Sequence, residues 1–189
     1  IQHNKFIVQL DRQGQAQQVW TGSTNISLGG IHGQTNVGHW VRNEAAALEY
    51  EAYWTLLSQD PGAREEDDAA TKRQKNDAFK KQVEMLQANI DFQDWTDIPY
   101  GITPVFSPRR GLKVLESYVR MMDAAESMAC ITLAFGINKL FKDYLDDNTA
   151  GDHISFMMLE KEDRPAPKSK EPFRYIGARQ NVYKSWGAY

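Results

Sequence analysis

A histidine and a lysine stand two residues apart, as His3-Asn4-Lys5, inside the apolar run that opens the chain. Side chains two apart on a strand leave by the same face, so an imidazole and an ammonium would enter one pocket together. Ile1, Phe6, Ile7, Val8 and Leu10 surround the pair with apolar groups, the pattern of a strand buried on both faces. A buried strand seldom carries a histidine and a lysine unless an anion or a hydrogen-bonding partner meets them. Val19 and Trp20 then lead into a Gly22-Ser23-Thr24-Asn25 loop, and a second apolar run follows at Asn36 to Val41. The stretch Ile1 to Arg42 reads as a site.

The rest of the composition limits what that site serves. A length of 189 residues is enough for an ordinary domain with a real core. The net charge of −3 carries no global positive field for nucleic acid or an anionic membrane, which leaves a local basic pocket as the place for anion recognition. The single Cys130 excludes an internal disulfide and fits a reducing compartment, favouring the cytoplasm. The four histidines show no paired ligand spacing with carboxylates, so neither a metal site nor a cofactor is expected. No apolar run approaches the roughly 20 residues of a membrane span. Because residue one already lies in the run that carries the chemistry and no initiator Met precedes it, the chain reads as an internal fragment of something longer.

Along the chain, Arg12 to Ala16 predicts a hairpin connection with Gly14 as its turn residue. Gly22, Gly29, Gly30 and Gly33 make the following loop able to bring backbone amides near a ligand. Asn43 is placed as an N-cap for a helix over Glu44 to Ser58, with Ala47, Tyr50, Trp54 and Leu57 on one face, ended by Pro61-Gly62. Arg64 to Asn89 is charged and helix-favouring, with Phe79, Val83 and Leu86 late in it, and reads as a solvated connecting helix. Asp91 to Gly101 is a linker.

A new unit begins near Ile102. It is expected to contain a short strand at Thr103 to Phe106, a Pro108-Arg109-Arg110-Gly111 turn and an amphipathic helix over Leu112 to Ser127. A fully apolar strand at Met128 to Phe135, a helix at Asn138 to Asp146, a buried strand at His153 to Leu159 and a last strand from Val182 to Trp186 follow. Arg164 to Pro172 reads as a surface loop. This alternation predicts an α/β fold, a mixed or parallel sheet sandwiched by helices. The expected divisions are 1–60, 61–101 and 102–189.

His3-x-Lys5 followed one hairpin later by Gly22-Ser23-Thr24-Asn25 resembles the HKD motif of the phospholipase D-like superfamily. In that family His-x-Lys lies on a strand, an Asp follows a few residues on, and a Gly-Ser/Gly-x-Asn loop follows the next strand. Members contain two similar α/β repeats, each with its motif late in the repeat. The resemblance therefore implies that 1–60 is the late part of one repeat and 102–189 the early part of the next. It covers most of the chain apart from segment 63 to 95, and its specific residues lie within Ile1 to Arg42.

The resemblance implies a metal-independent phosphodiesterase that works through a covalent phosphohistidine. His3 would be the nucleophile. Lys5 and Asn25 would meet the phosphate oxygens, with Ser23 in support. A second histidine would act as general acid. In the family it comes from the other repeat, so it would be supplied beyond this chain or by a second copy. Phospholipid is the favoured substrate. A nuclease, or a noncatalytic member that binds an anion or a partner, is the alternative. Two departures stand out. Five residues rather than the family's four separate Lys5 from Asp11, so Asp11 is either shifted by a bulge or a turn residue. Many members also have Asn-x-Glu where this chain has Asn36-Val37-Gly38; Gln34, Asn36 or His39 would then orient the nucleophile by hydrogen bonding. His32, His153, Arg109, Arg110, Lys168 and Lys170 are read as ordinary loop, strand and turn residues.

Overall fold

The structure is a computed structural model that describes residues 3–92, 94–133, 138–141, 154–159 and 182–186. It is mixed α/β, and the residues divide into two compact units. One runs to Ile90 and resumes over Ile98–Gly111; the other takes Asp91–Asp97 and the chain from Leu112 onward.

The first unit is built on an antiparallel sheet of order β1-β2-β3. β1 (Phe6–Leu10) and β2 (Ala16–Gly22) form a hairpin. In its turn the Asp11 carboxylate accepts from the Gln13 and Gln15 amides at 2.9 and 2.8 Å, and Gly14 takes a φ of +81° that glycine adopts without strain. The short helix α1 (Leu28–His32) follows, then β3 (Gly38–Val41), which pairs with the other side of β2. The helix α2 (Glu44–Ser58) begins where the Asn43 side chain accepts from the Ala46 amide at 2.9 Å. Its tyrosines cover one face of the sheet: Phe6 lies 5.2 Å from Tyr50 and 5.9 Å from Tyr53, ring centre to ring centre.

Three expectations change here. β1 is an outer strand covered on one face rather than a strand buried on both, and Ile7 is 57% exposed. The reason is the antiparallel pairing, which lets alternate side chains face solvent. Thr103 to Phe106 is not a strand. Pro104 and Phe106 instead bury in a loop held by Gln87, which donates to the Pro104 carbonyl and accepts from the Phe106 amide at 3.3 Å. On α2, the buried face contains Ala46, Ala47, Tyr53 and Leu56, while Trp54 is 59% exposed. The helix is apolar nearly all round, so its spacing alone did not set which stripe turns inward.

The charged segment contributes to this core. α3 (Ala69–Met85), capped by Asp68, buries Phe79 and Val83 with Tyr53, Leu56 and Phe106. Phe106 stacks on Tyr53 with ring centres 4.5 Å apart. Glu84 at the end of α3 accepts from the Arg110 amide and guanidinium at 2.6–2.8 Å, which fastens the turn after Phe106.

The second unit has α4 (Lys113–Asp123) and a parallel sheet, β4 (Met128–Leu133), β5 (Ile154–Leu159) and β6 (Val182–Trp186), in that order. Val119, Met122, Ala129, Phe141 and Met157 form its core. β4 and β5 alternate buried and exposed positions among the described residues. Of the expected helix at Asn138 to Asp146, residues 139–141 are helical and the rest lie outside the described residues. His153, Lys168, Lys170, the end of the Met128 to Phe135 run and the Arg164 to Pro172 loop also lie outside them. Among the described residues no helix is long and apolar enough to cross a membrane.

Two measurements check this packing. Phe106→Ala removes a ring that is 4% exposed and should destabilise the chain by about 3–5 kcal/mol in urea unfolding, whereas Trp54→Ala should change it by less than about 0.5 kcal/mol. Equal losses would mean the α2 face is misassigned. The Arg110 hydrogen bonds hold the Glu84 carboxyl below its ordinary range, against a smaller opposing effect of burial. A carboxyl lowered by folding adds stability above its unfolded pKa and loses it as pH falls through the folded value. The stability gap between wild type and Glu84→Gln should therefore be open at neutral pH and close on acidification below the carboxylate range.

Candidate active site

Lys5 and the start of the Gly-Ser-Thr-Asn loop meet at the end of the hairpin opposite its turn. The Lys5 carbonyl accepts from the Gly22 amide at 3.3 Å and from the Thr21 hydroxyl at 3.3 Å. Phe6 is registered with Thr21 and Gly22 with Gly38, so continuing the ladder by one residue sets Lys5, Gly22 and Gly38 in a row across the three strands. Phe6 and Thr21 face α2, where Tyr50 donates to the Thr21 hydroxyl at 3.2 Å. By strand alternation Lys5 leaves by the opposite face. Beside it stand two residues without side chains. Lys5 is half-buried and His3 exposed, and the ammonium donates to the His3 carbonyl at 2.6 Å.

The Gly-Ser-Thr-Asn loop is pinned to the entry of β3. The Ser23 amide donates to the Val37 carbonyl at 3.0 Å, and the Ser23 hydroxyl accepts from the Val37 amide while donating to the Asn36 side-chain oxygen, each at 3.1 Å. The Asn36 amide group then donates to the Gly30 carbonyl at 3.1 Å. Ser23 and Asn36 thus staple the loop to itself. Thr24 is buried beneath the loop and Asn25 is exposed at its tip. Gly30 lets α1 close on Asn25: an added Cβ there would come within 2.2 Å of the Asn25 carbonyl oxygen.

Asp11, His39 and Gln34 are not brought beside Lys5. Asp11 lies at the far end of β1 and is a turn residue, since the ladder irregularity falls where Gln9 pairs with Gln18 and Leu10 with Ala16. The extra residue is therefore Gln17 of β2, not one in the Asp11 strand. His39 is registered with Thr21 and so leaves by the α2 face, away from Lys5. Gln34 is exposed in the loop before β3. At position 38 a carboxylate side chain has no room, because an added Cβ would meet the Trp20 indole at 2.9–3.1 Å.

Lys5 thus lies beside Gly22 at the start of the Gly-Ser-Thr-Asn loop, with the exposed His3 two residues before it and the exposed Asn25 on that loop. An ammonium, an imidazole and an amide are groups suited to holding an anion. Sequence reasoning overlooked Thr21 as part of this arrangement, and named Gly22 and Gly38 without placing them beside Lys5. Their signal was present in the alignment of two strands on one hairpin, which places Gly22 beside Lys5. No family model, curated protein or solved structure matches the chain.

An alanine at position 22 would put its Cβ 2.2 Å from the Val37 carbonyl oxygen. Gly22→Ala should cost about 1–3 kcal/mol by overpacking and weaken inorganic phosphate binding, both measured on the same sample by urea unfolding and titration calorimetry. Gly14→Ala at the far turn should lower stability while leaving phosphate binding unchanged. Equal phosphate binding by wild type and Gly22→Ala would separate the loop from any anion site.

Proposed function

We propose that the chain carries one histidine-bearing half of a phosphodiesterase site of the phospholipase D-like type. The observation that carries this reading is the meeting of the Lys5 carbonyl with the Gly22 amide and the Thr21 hydroxyl, at the start of the Gly-Ser-Thr-Asn loop. An imidazole nitrogen of His3 attacks phosphorus; a P–N bond forms and the P–O bond to the leaving alcohol breaks with its electron pair. Lys5 and Asn25 meet the nonbridging oxygens, where charge builds up. A second histidine, from another copy of the motif or a second chain, protonates the leaving oxygen and later takes a proton from water. Water then attacks phosphorus, the P–N bond breaks, and His3 is released with a phosphomonoester product.

A phospholipid suits the surroundings better than nucleic acid. Ile26, Leu28, Ile31 and Val37 are 54–79% exposed on the segment that carries Asn25, and the chain has no basic excess. A nuclease would show a steep loss of binding with added salt as counterions are released; the expected salt dependence is shallow.

The test uses a nitrophenyl phosphodiester labelled on phosphorus, whose leaving group departs as an anion and needs no general acid. Wild type should retain label after rapid acid-free denaturation and His3→Ala should not, with nitrophenolate release falling by at least about a hundredfold. With an ordinary alkyl leaving group, a sedimentation-verified monomer should be nearly inactive. A fully active monomer would contradict the two-histidine scheme. Phosphate binding without any label would instead support a noncatalytic anion-binding module, a reading favoured by the Trp20 ring that occupies the place of an orienting carboxylate.

A further inference from the structure

The central residue of His3-Asn4-Lys5 reaches across to α2. The Asn4 amide group donates to the Tyr53 hydroxyl at 2.8 Å, and that hydroxyl donates to the Ser107 carbonyl at 2.6 Å. Tyr53 is 2% exposed, and its ring lies between Phe6 and Phe106 with centres 5.9 and 4.5 Å away. Neither ring nor hydroxyl has freedom to turn elsewhere. One helical turn earlier, Tyr50 reaches the Lys5 carbonyl through the Thr21 hydroxyl. Two tyrosines of one helix therefore reach the motif segment, Tyr53 through Asn4 and Tyr50 through Thr21.

We infer that Tyr53 is a positioning residue: through Asn4 it fixes the backbone of residues 3–5, so that His3 and Lys5 are presented on the sheet face away from α2. Strand alternation supplies the logic. If Asn4 is held against α2, its two neighbours are turned outward. Residues 3 and 4 precede the Lys5–Gly22 rung, so the ladder alone does not order them. Burial raises the Tyr53 pKa above its ordinary value, the Asn4 hydrogen bond opposing it, and the hydroxyl stays protonated as the donor to Ser107 through neutral pH. This role bears on catalysis only under the phosphohistidine reading, but the placement of residues 3–5 can be measured without it.

The test compares Tyr53→Phe, which keeps the stacked ring, with Asn4→Ala, which changes an exposed residue and spares the core. ¹⁵N relaxation should show the His3 and Lys5 amides losing order in both variants, from the rigid range near about 0.85 towards about 0.6, while β2 and α2 amides hold. Single-turnover nitrophenolate release should fall roughly tenfold to a hundredfold with phosphate affinity changed by less than about twofold. The kinetic losses of the double variant should fall well short of the sum of the single ones, because both single variants remove the Asn4–Tyr53 bond. Unchanged order at residues 3–5 overturns the inference whatever the kinetics. Lost order with additive kinetic losses also overturns it, since the two residues would then act separately. If His3→Ala retains full nitrophenolate release, the phosphohistidine reading fails, and the relaxation data still decide the tether.

Discussion

The carbonyl of Lys5 is the joint on which this end of the molecule depends. It accepts from the Gly22 amide and the Thr21 hydroxyl, and so closes the last rung between the motif segment and β2. A slip of one residue there would exchange the two faces of the sheet, sending Lys5 towards the tyrosines and Phe6 into solvent. That exchange is opposed by a buried aromatic cluster, since Phe6 is packed on Tyr50 and Tyr53. The register of a polar site is therefore held by apolar packing on the other side of the strand. Packing and chemistry are two faces of one ladder.

The loop that completes the site is stiff for a different reason. Its hydroxyl and amide groups are spent largely on each other: Ser23 on Val37 and Asn36, and Asn36 on Gly30. Such closed exchange satisfies backbone groups that a surface loop would otherwise leave to water. It also removes Ser23 from the donors available to a ligand, leaving Lys5, Asn25 and loop amides. Glycine is needed at Gly22 and Gly30 because backbone passes within 2.2 Å of where a Cβ would stand, and at Gly38 because an indole does. The glycines here serve close approach, whereas Gly14 serves a turn.

Local signals were legible in the sequence and distant pairings were not. Asn43 caps α2 through the Ala46 amide, Gly14 turns the hairpin, and the alternating pattern after Leu112 yields the parallel order β4-β5-β6. Each needs only neighbours or a repeating pattern. Trp54 was misplaced on the buried face because α2 offers apolar residues all round and the choice of stripe belongs to its partners. Thr103 to Phe106 has strand-forming residues, but Gln87 supplies the hydrogen bonds that a neighbouring strand would have given. The charged stretch before Phe79 marks a helix but makes it read as solvated, whereas its last turns are core. Asn4 and Tyr53, 49 residues apart, carry no local mark of their partnership. In the site, the premise of a doubly buried strand was wrong, yet the placement of Lys5 near the Gly-Ser loop follows from hairpin connectivity alone.

That connectivity has one further consequence. At the turn the ladder pairs Leu10 with Ala16. Continued without interruption, this register would set Lys5 opposite Thr21, a side chain facing it across the rung. The extra residue Gln17 shifts every later pair by one, so that Phe6 meets Thr21 and Lys5 meets Gly22. A bulge also increases local twist, which turns the open end of the hairpin relative to its tip. The irregularity therefore reconciles two demands that a regular hairpin could not meet together: a tight turn closed by Asp11, and a bare glycine beside the one lysine of the strand.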